Sequence, residues 1–170
     1  MIPAKLIEKK RDGVELTPKE IDWFIHNVMN EKIDDCQLSA FLMSIYFNGM
    51  SNTETNSLVD SMVKSGRKFN FKHLGRYVAD KHSTGGIGDK ISFILCPLLS
   101  SFGIVVPMIA GRGLAYTGGT IDKLESINNF QTEKDFDSFN KQIDRIGCGI
   151  IGQSSEICPA DEKLYSIRDL

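Results

Sequence analysis

Apolar residues follow two different periods along this chain, and the period changes near Gly66. Before that point the spacing is helical. Ile21, Phe24, Ile25, Val28 and Met29 stand at offsets 0, 3, 4, 7 and 8, which is one face of an α-helix. Thr17-Pro18-Lys19-Glu20, just ahead of them, forms a capping box with proline at the first helical position. A second helix is predicted from Asp34, with Gln37 three residues on, through Leu38, Phe41, Leu42 and Ile45 to a stop at Gly49. A third starts at Ser51-Asn52-Thr53-Glu54 and runs through Leu58, Met62 and Val63 to Gly66. Three short amphipathic helices with tight connections predict a small bundle. Phe24, Phe41 and Tyr46 are assigned to the core or to a subunit contact, and His26 to the edge of the apolar stripe.

Beyond Gly66, strand-length apolar runs alternate with helical segments. Val78-Ala79 leads into a glycine-rich stretch, Asp80 to Asp89, and Ile91 to Leu99 is apolar. Ile104-Val105-Val106-Pro107-Met108-Ile109 is a continuous strand-length run that ends in a second glycine-rich stretch, Gly111 to Gly119. Ile146 to Ile151 is a third run, and residues 133–145, with Phe136, Phe139 and Ile143, supply a crossover helix. Such alternation predicts a layered α/β unit with a mostly parallel sheet. The fold class is therefore α plus α/β: a helical domain over 1–66, an α/β domain begun over 67–153, and a segment over 154–170 that returns to the helical domain.

Composition narrows the function classes. Of 170 residues, 41% are hydrophobic and 25% charged, an ordinary globular balance. The net charge of -2 argues against a general nucleic-acid binder, so an anionic ligand needs a local cluster of donors. No two of Cys36, Cys96, Cys148 and Cys158 have C-x-x-C spacing, which argues against zinc and dithiol chemistry. No apolar window reaches membrane-spanning length, and no apolar leader follows Met1, so a reduced, cytoplasmic protein is expected.

The candidate chemistry sits in the two glycine-rich loops. Asp80-Lys81-His82-Ser83-Thr84-Gly85-Gly86-Ile87-Gly88-Asp89-Lys90-Ile91-Ser92 lies between a short strand and a helix. Glycines let backbone N–H groups converge on an oxyanion, and a following helix start adds more of them. Lys81 adds a cation; Ser83 and Ser92 add hydroxyls. The spacing matches neither G-x-G-x-x-G nor a Walker A loop. By itself such a loop is a phosphate cradle or a structural turn. The second loop, Ala110 to Glu125, trails the strand Ile104 to Ile109, which is where ligands bind in open α/β sheets. Arg112 and Asp122 read as residues that fix the loop, and the paired glycines as backbone-shaping residues.

These residues resemble the thymidine and pyrimidine-nucleoside phosphorylases. The motifs are Lys81 to Gly86, Ala110-Gly111-Arg112-Gly113-Leu114, Thr117-Gly118-Gly119-Thr120 and Asp122-Lys123-Leu124-Glu125. Ile150-Ile151-Gly152-Gln153, Pro159-Ala160-Asp161 and Tyr165-Ser166-Ile167-Arg168-Asp169 follow in order. The resemblance runs from Lys5 to Leu170. It implies phosphorolysis: inorganic phosphate, a co-substrate, attacks the anomeric carbon of a pyrimidine nucleoside such as thymidine or uridine. Free base and a pentose 1-phosphate result. It implies that Lys81, Ser83, Ser92 and Thr120 hold phosphate. His82 donates to the base as charge builds there, Arg168 bonds the base carbonyl oxygens, and Leu114 and Tyr165 line the base pocket. It also implies a cleft between two domains and a homodimer formed through the helical one, with no organic cofactor.

The match has departures. Ala110 stands where the family has a serine that also donates to phosphate, and Ala115-Tyr116 replaces Gly-His. Bacterial members bind a monovalent cation near the first loop, at Gly88, partly through a residue at the place of Lys90. A lysine ammonium there replaces or repels potassium, so no metal is assigned. In the family, the helix after Arg168 carries further base contacts, so this chain is expected to hold part of an enzyme and to turn over nothing alone. Two other functions remain. One is an anthranilate-type phosphoribosyltransferase, although Thr120 stands where its loop has an aspartate after paired glycines. The other is a non-catalytic dimerisation or phosphate-binding module.

Overall fold

A computed structural model describes residues 1–83, 89–113 and 118–167. The chain divides into two compact units, Met1–Arg67 with Cys158–Leu170, and Lys68–Ile157. The elements in chain order are α1 (Pro3–Arg11), α2 (Pro18–Met29), α3 (Asp35–Asn48), α4 (Asn52–Ser65), α5 (Ile91–Ser101), β1 (Val106–Ile109), α6 (Thr120–Glu125), α7 (Phe136–Ile146), β2 (Cys148–Ile151) and α8 (Pro159–Ser166). A single 3-10 turn, Lys72–Leu74, precedes α5.

Local side-chain caps start α2, α3 and α4. Thr17 Oγ1 accepts the Glu20 N–H at 3.3 Å, and the Glu20 carboxylate accepts the Thr17 N–H at 2.7 Å. Asp34 accepts from Gln37 N at 2.8 Å, and Ser51 and Glu54 form a second reciprocal box. The core joins Leu6, Leu16, Ile21, Phe24, Ile25, Leu38 and Phe41 to Ala160 and Leu164 of α8. Phe24 and Phe41 stack at 4.1 Å. Tyr46, by contrast, is 78% exposed and Phe47 75%, at the end of α3.

Four helices precede Gly66, not the three expected. The missed one, α1, turns a lysine inward. Both Glu54 carboxylate oxygens receive Lys10 Nζ at 2.8 Å, and Leu16 N donates to Glu54 Oε1 at 2.9 Å. Lys10 is 4% exposed and Glu54 1%, so each charge is compensated where water is absent.

The second unit is a small parallel sheet with helices against both faces. Strands β1 and β2 pair in parallel, with Val106 opposite Cys148 and Ile109 opposite Ile151. Residue Val78 adds a parallel bridge at Val105, through Ala79 N to Val105 O at 2.9 Å and Val105 N to Tyr77 O at 2.8 Å. Val105 and Ile151 pack with Phe136, Phe139 and Ile143 of α7. Val106, Met108 and Ala110 pack with Cys96 of α5 and Ile121 of α6. Alternate residues of one strand are thus buried on opposite faces, which is why the run reads as continuously apolar. A Cβ at Gly149 would lie 2.7 Å from both Phe139 and Gln142, so glycine there lets α7 lie directly on β2. The strand is shorter than the predicted Ile104–Ile109 run, because Ile104 and Val105 still belong to the approach from α5.

Candidate functional site

Parallel strands deliver their loops to one end of the sheet, and in the second unit three segments meet there around Asp89. The chain leaving Val78–Ala79 supplies Lys81, the first turn of α5 supplies Ser92, and the first residue of α6 supplies Thr120. Lys81 Nζ donates to Asp89 Oδ1 at 2.6 Å and to Ser92 Oγ at 3.0 Å. The Ser92 hydroxyl donates to Asp89 Oδ2, and Thr120 Oγ1 donates to the same oxygen at 2.9 Å. Ser92 N reaches Asp89 Oδ1 at 3.3 Å, so the carboxylate also caps α5.

The cluster is dry on one side. Asp89 is 5% exposed, Ser92 1% and Thr120 4%. Burial alone would raise the Asp89 carboxyl, but the bonds from Lys81, Ser92 and Thr120 outweigh it and hold it down at about 2. Asp89 is therefore ionised at neutral pH. The result is an ionised carboxylate paired with a lysine and bonded by two hydroxyls.

Of the residues assigned from sequence, Lys81, Ser92 and Thr120 come together here. Ser83 is half-buried on the same segment, and His82 is exposed beside it. Lys90 is exposed at the start of α5. Tyr165 is half-buried on α8, in the other unit. Gly88, Leu114 and Arg168 lie outside the described residues, as do Thr84 to Gly86. Sequence reasoning passed over Asp89. Its only local signal was the Asp89-x-x-Ser92 spacing of a helix cap.

The second loop is pinned by the residues expected to fix it. Arg112 Nη1 and Nη2 grip the Glu125 carboxylate at 2.7 and 2.9 Å, and Nη1 reaches Asp122 at 3.2 Å. Asp122 Oδ2 accepts both the Gly113 and the Gly119 N–H at 2.7 Å, which ties the two ends of the loop together directly before Thr120. Burial pushes the Asp122 carboxyl up, but these backbone donors and Arg112 bring it below its ordinary value. Gly119 has an ordinary φ of -78°. Its hydrogen is required because a Cβ would sit 2.3 Å from Arg112 C and Gly113 N. The backbone-shaping role expected of the paired glycines takes the form of close approach at Gly119.

A small pocket of about 20 Å³ shares Lys81 and Ser92 with this cluster. Its other walls include Leu95, Cys96, Leu99 and Met108, so it is apolar and not built to hold an anion. Burial pushes the Cys96 thiol up to about 12, which leaves it protonated and inert. Among the described residues no group of three His, Cys, Asp or Glu side chains is placed to hold a metal ion. No helix among them is long and apolar enough to cross a membrane.

Comparison with known proteins agrees with this architecture. Residues 4–66 match the helical bundle domain of a glycosyl transferase family, and residues 75–170 match the a/b domain of the same family. A thymidine phosphorylase from Sinorhizobium medicae is 46% identical over 170 residues, which is all of this chain and 39% of that protein. One from Mycoplasma pneumoniae is 48% identical over 168 residues, again 39% of its length. The chain thus spans about two fifths of the length of these curated relatives. Among solved structures, anthranilate phosphoribosyltransferase from Thermus thermophilus superposes with a TM-score of 0.71 at 16% identity, over 95% of this chain and 49% of that one. That likeness is one of fold.

Proposed function

Since the chain belongs to this glycosyl transferase family, with its helical bundle and a/b domains, we propose that it provides the phosphate-holding part of a pyrimidine-nucleoside phosphorylase. The observation that carries the reading is the convergence of Lys81, Ser92 and Thr120 from three separate segments on one buried spot. The relatives named thymidine phosphorylase, similar over the whole of this chain, supply the reaction. The likeness to the phosphoribosyltransferase is at 16% identity and carries no substrate with it.

In this reading inorganic phosphate is the second substrate and no organic cofactor or metal takes part. Phosphate attacks the anomeric carbon of the nucleoside while the C–N bond to the base breaks. The pentose passes through an oxocarbenium-like state. Lys81 faces the phosphate charge, and Ser83, Ser92 and Thr120 fix its orientation, so the attacking oxygen is held in line. His82, exposed beside Lys81, donates to the pyrimidine as negative charge builds on the leaving base. Leu114, Tyr165 and Arg168 receive the base in the same reading. The active form is a homodimer joined through the helical unit, where Tyr46 and Phe47 are two large exposed aromatic side chains. Four unpaired cysteine thiols suit a reducing cytoplasm.

The test joins this chain to the part of the Mycoplasma pneumoniae relative that it does not match. The chimera is assayed with thymidine and uridine, with and without phosphate. Release of base that requires phosphate, together with formation of pentose 1-phosphate, is the expected result. Equal release in phosphate-free buffer makes the protein a hydrolase and overturns the reading.

A further inference from the structure

The hydrogen bonds around Asp89 fix where the hydroxyl protons point. Asp89 is an ionised carboxylate and can only accept. The proton between it and Ser92 must therefore be the serine's, and the one between it and Thr120 the threonine's. Ser92 Oγ also accepts from Lys81. With their single protons committed, both hydroxyls have only lone pairs left to offer. Lys81 spends one N–H on Asp89 and another on Ser92, which leaves one of its three donors.

We propose that Asp89 is a specificity-determining residue: by drawing the Ser92 and Thr120 protons to itself, it turns both hydroxyls into acceptors and makes the cradle select an oxyanion that carries its own proton. Hydrogen phosphate brings a P–O–H group that donates to one of these oxygens, and dihydrogen phosphate a second for the other, while an unprotonated oxygen takes the remaining Lys81 N–H. Arsenate does the same. Sulfate has the same shape but no proton at neutral pH, so its oxygens meet lone pairs. It can take the remaining Lys81 N–H, but it gains a hydroxyl proton only by pulling it away from Asp89 and leaving that buried carboxylate short of a donor. The inference rests on the reading of Lys81, Ser92 and Thr120 as the anion contacts. It goes beyond that reading in assigning the direction of each proton and a role to Asp89.

The experiment titrates the 170-residue chain with inorganic phosphate, arsenate and sulfate by calorimetry, at neutral pH and fixed ionic strength. Phosphate and arsenate should bind at least about tenfold more tightly than sulfate, as expected when an anion must leave buried hydrogen bonds unmade. Asp89→Asn then separates a proton-orienting role from a merely structural one. Its amide N–H groups can donate to Ser92 and Thr120, which frees their protons for the anion, so the phosphate-to-sulfate ratio should fall towards one. Equal loss of both anions with the ratio unchanged shows that Asp89 only holds the loop, and refutes the proposal. Equal affinity of the wild-type chain for phosphate and sulfate refutes it too, while leaving the phosphate reading intact. That comparison stands even if Asp89→Asn does not fold, which circular dichroism reports. Binding of neither anion overturns the cradle itself.

Discussion

Adding one methyl group at Gly119 should disable the second loop, whereas adding it at the neighbouring glycine should not. A Cβ at Gly119 would lie 2.3 Å from Arg112 C and Gly113 N and 2.8 Å from Arg112 O. All three are backbone atoms and none can rotate away. Ordinary contact begins near 3.4 Å, so the 112–113 backbone would have to retreat by about 1 Å. That retreat pulls on the bonds from Gly113 N and Gly119 N to Asp122, each 2.7 Å long. Overpacking costs about 1–3 kcal/mol, and a lost bond to a charged group costs about 1.5–3 kcal/mol. With partial relaxation, Gly119→Ala should lose about 3 kcal/mol, a fall in Tm of roughly 6–12 °C for a chain of this size. Phosphate affinity should drop with it, because Thr120 is the next residue. In Gly118→Ala the new Cβ would meet, among the described residues, only Lys123 Nζ at 3.7 Å and Asp122 Cβ at 4.0 Å, so its Tm should stay within about 2 °C of wild type. Scanning calorimetry of the three proteins decides the matter. Equal melting of the two variants, or an unchanged Gly119→Ala, would refute the close approach of the two backbones.

Two further perturbations test the charges. Glu54→Ala leaves Lys10 buried without its counter-charge and Leu16 N without its acceptor, so urea denaturation should show a loss of about 3–5 kcal/mol, and a loss below about 1 kcal/mol would mean that water reaches Lys10. The Asp89 carboxyl is held at about 2 against an ordinary 3.8, so its stabilisation is complete above about pH 4 and is lost as the pH falls towards about 2; the difference is about 2 kcal/mol, and Asp89→Asn should flatten that part of the acid-denaturation curve.

How much could be read without coordinates depended on how far apart the interacting residues stand. Caps act between residues three apart, and Thr17, Asp34 and Ser51 begin their helices as their spacing predicts. The buried strand was visible because both of its faces are covered, which leaves an unbroken apolar run. α1 was missed because its inward face includes Lys10, and a charged residue at a buried position breaks the pattern by which helices are found. The partner that makes Lys10 tolerable is Glu54, 44 residues away. The need for glycine at 119 was legible but the backbone it approaches was not, since close approach between 112–113 and 119 exists only once the loop has closed.

The same logic explains why the candidate site was only half legible. Lys81, Ser92 and Thr120 look like anion contacts by residue type, and types can be read directly. Asp89 looks wrong by type, since a carboxylate should repel phosphate, and its partners lie up to 31 residues away. In the folded chain it has a reason to be there. Asp89 is the buried charge of the pair; Lys81, 31% exposed, neutralises it, and the Asp89 carboxylate joins the three segments. The local formal charge of the pair is zero, so an arriving anion is not drawn in by net charge. In the reading proposed it is held by the remaining Lys81 N–H and by its own proton on the lone pairs of the two hydroxyls, in a chain whose overall charge is -2. In the reading proposed, recognition is decided by where protons sit, and Asp89 is the residue that sets them.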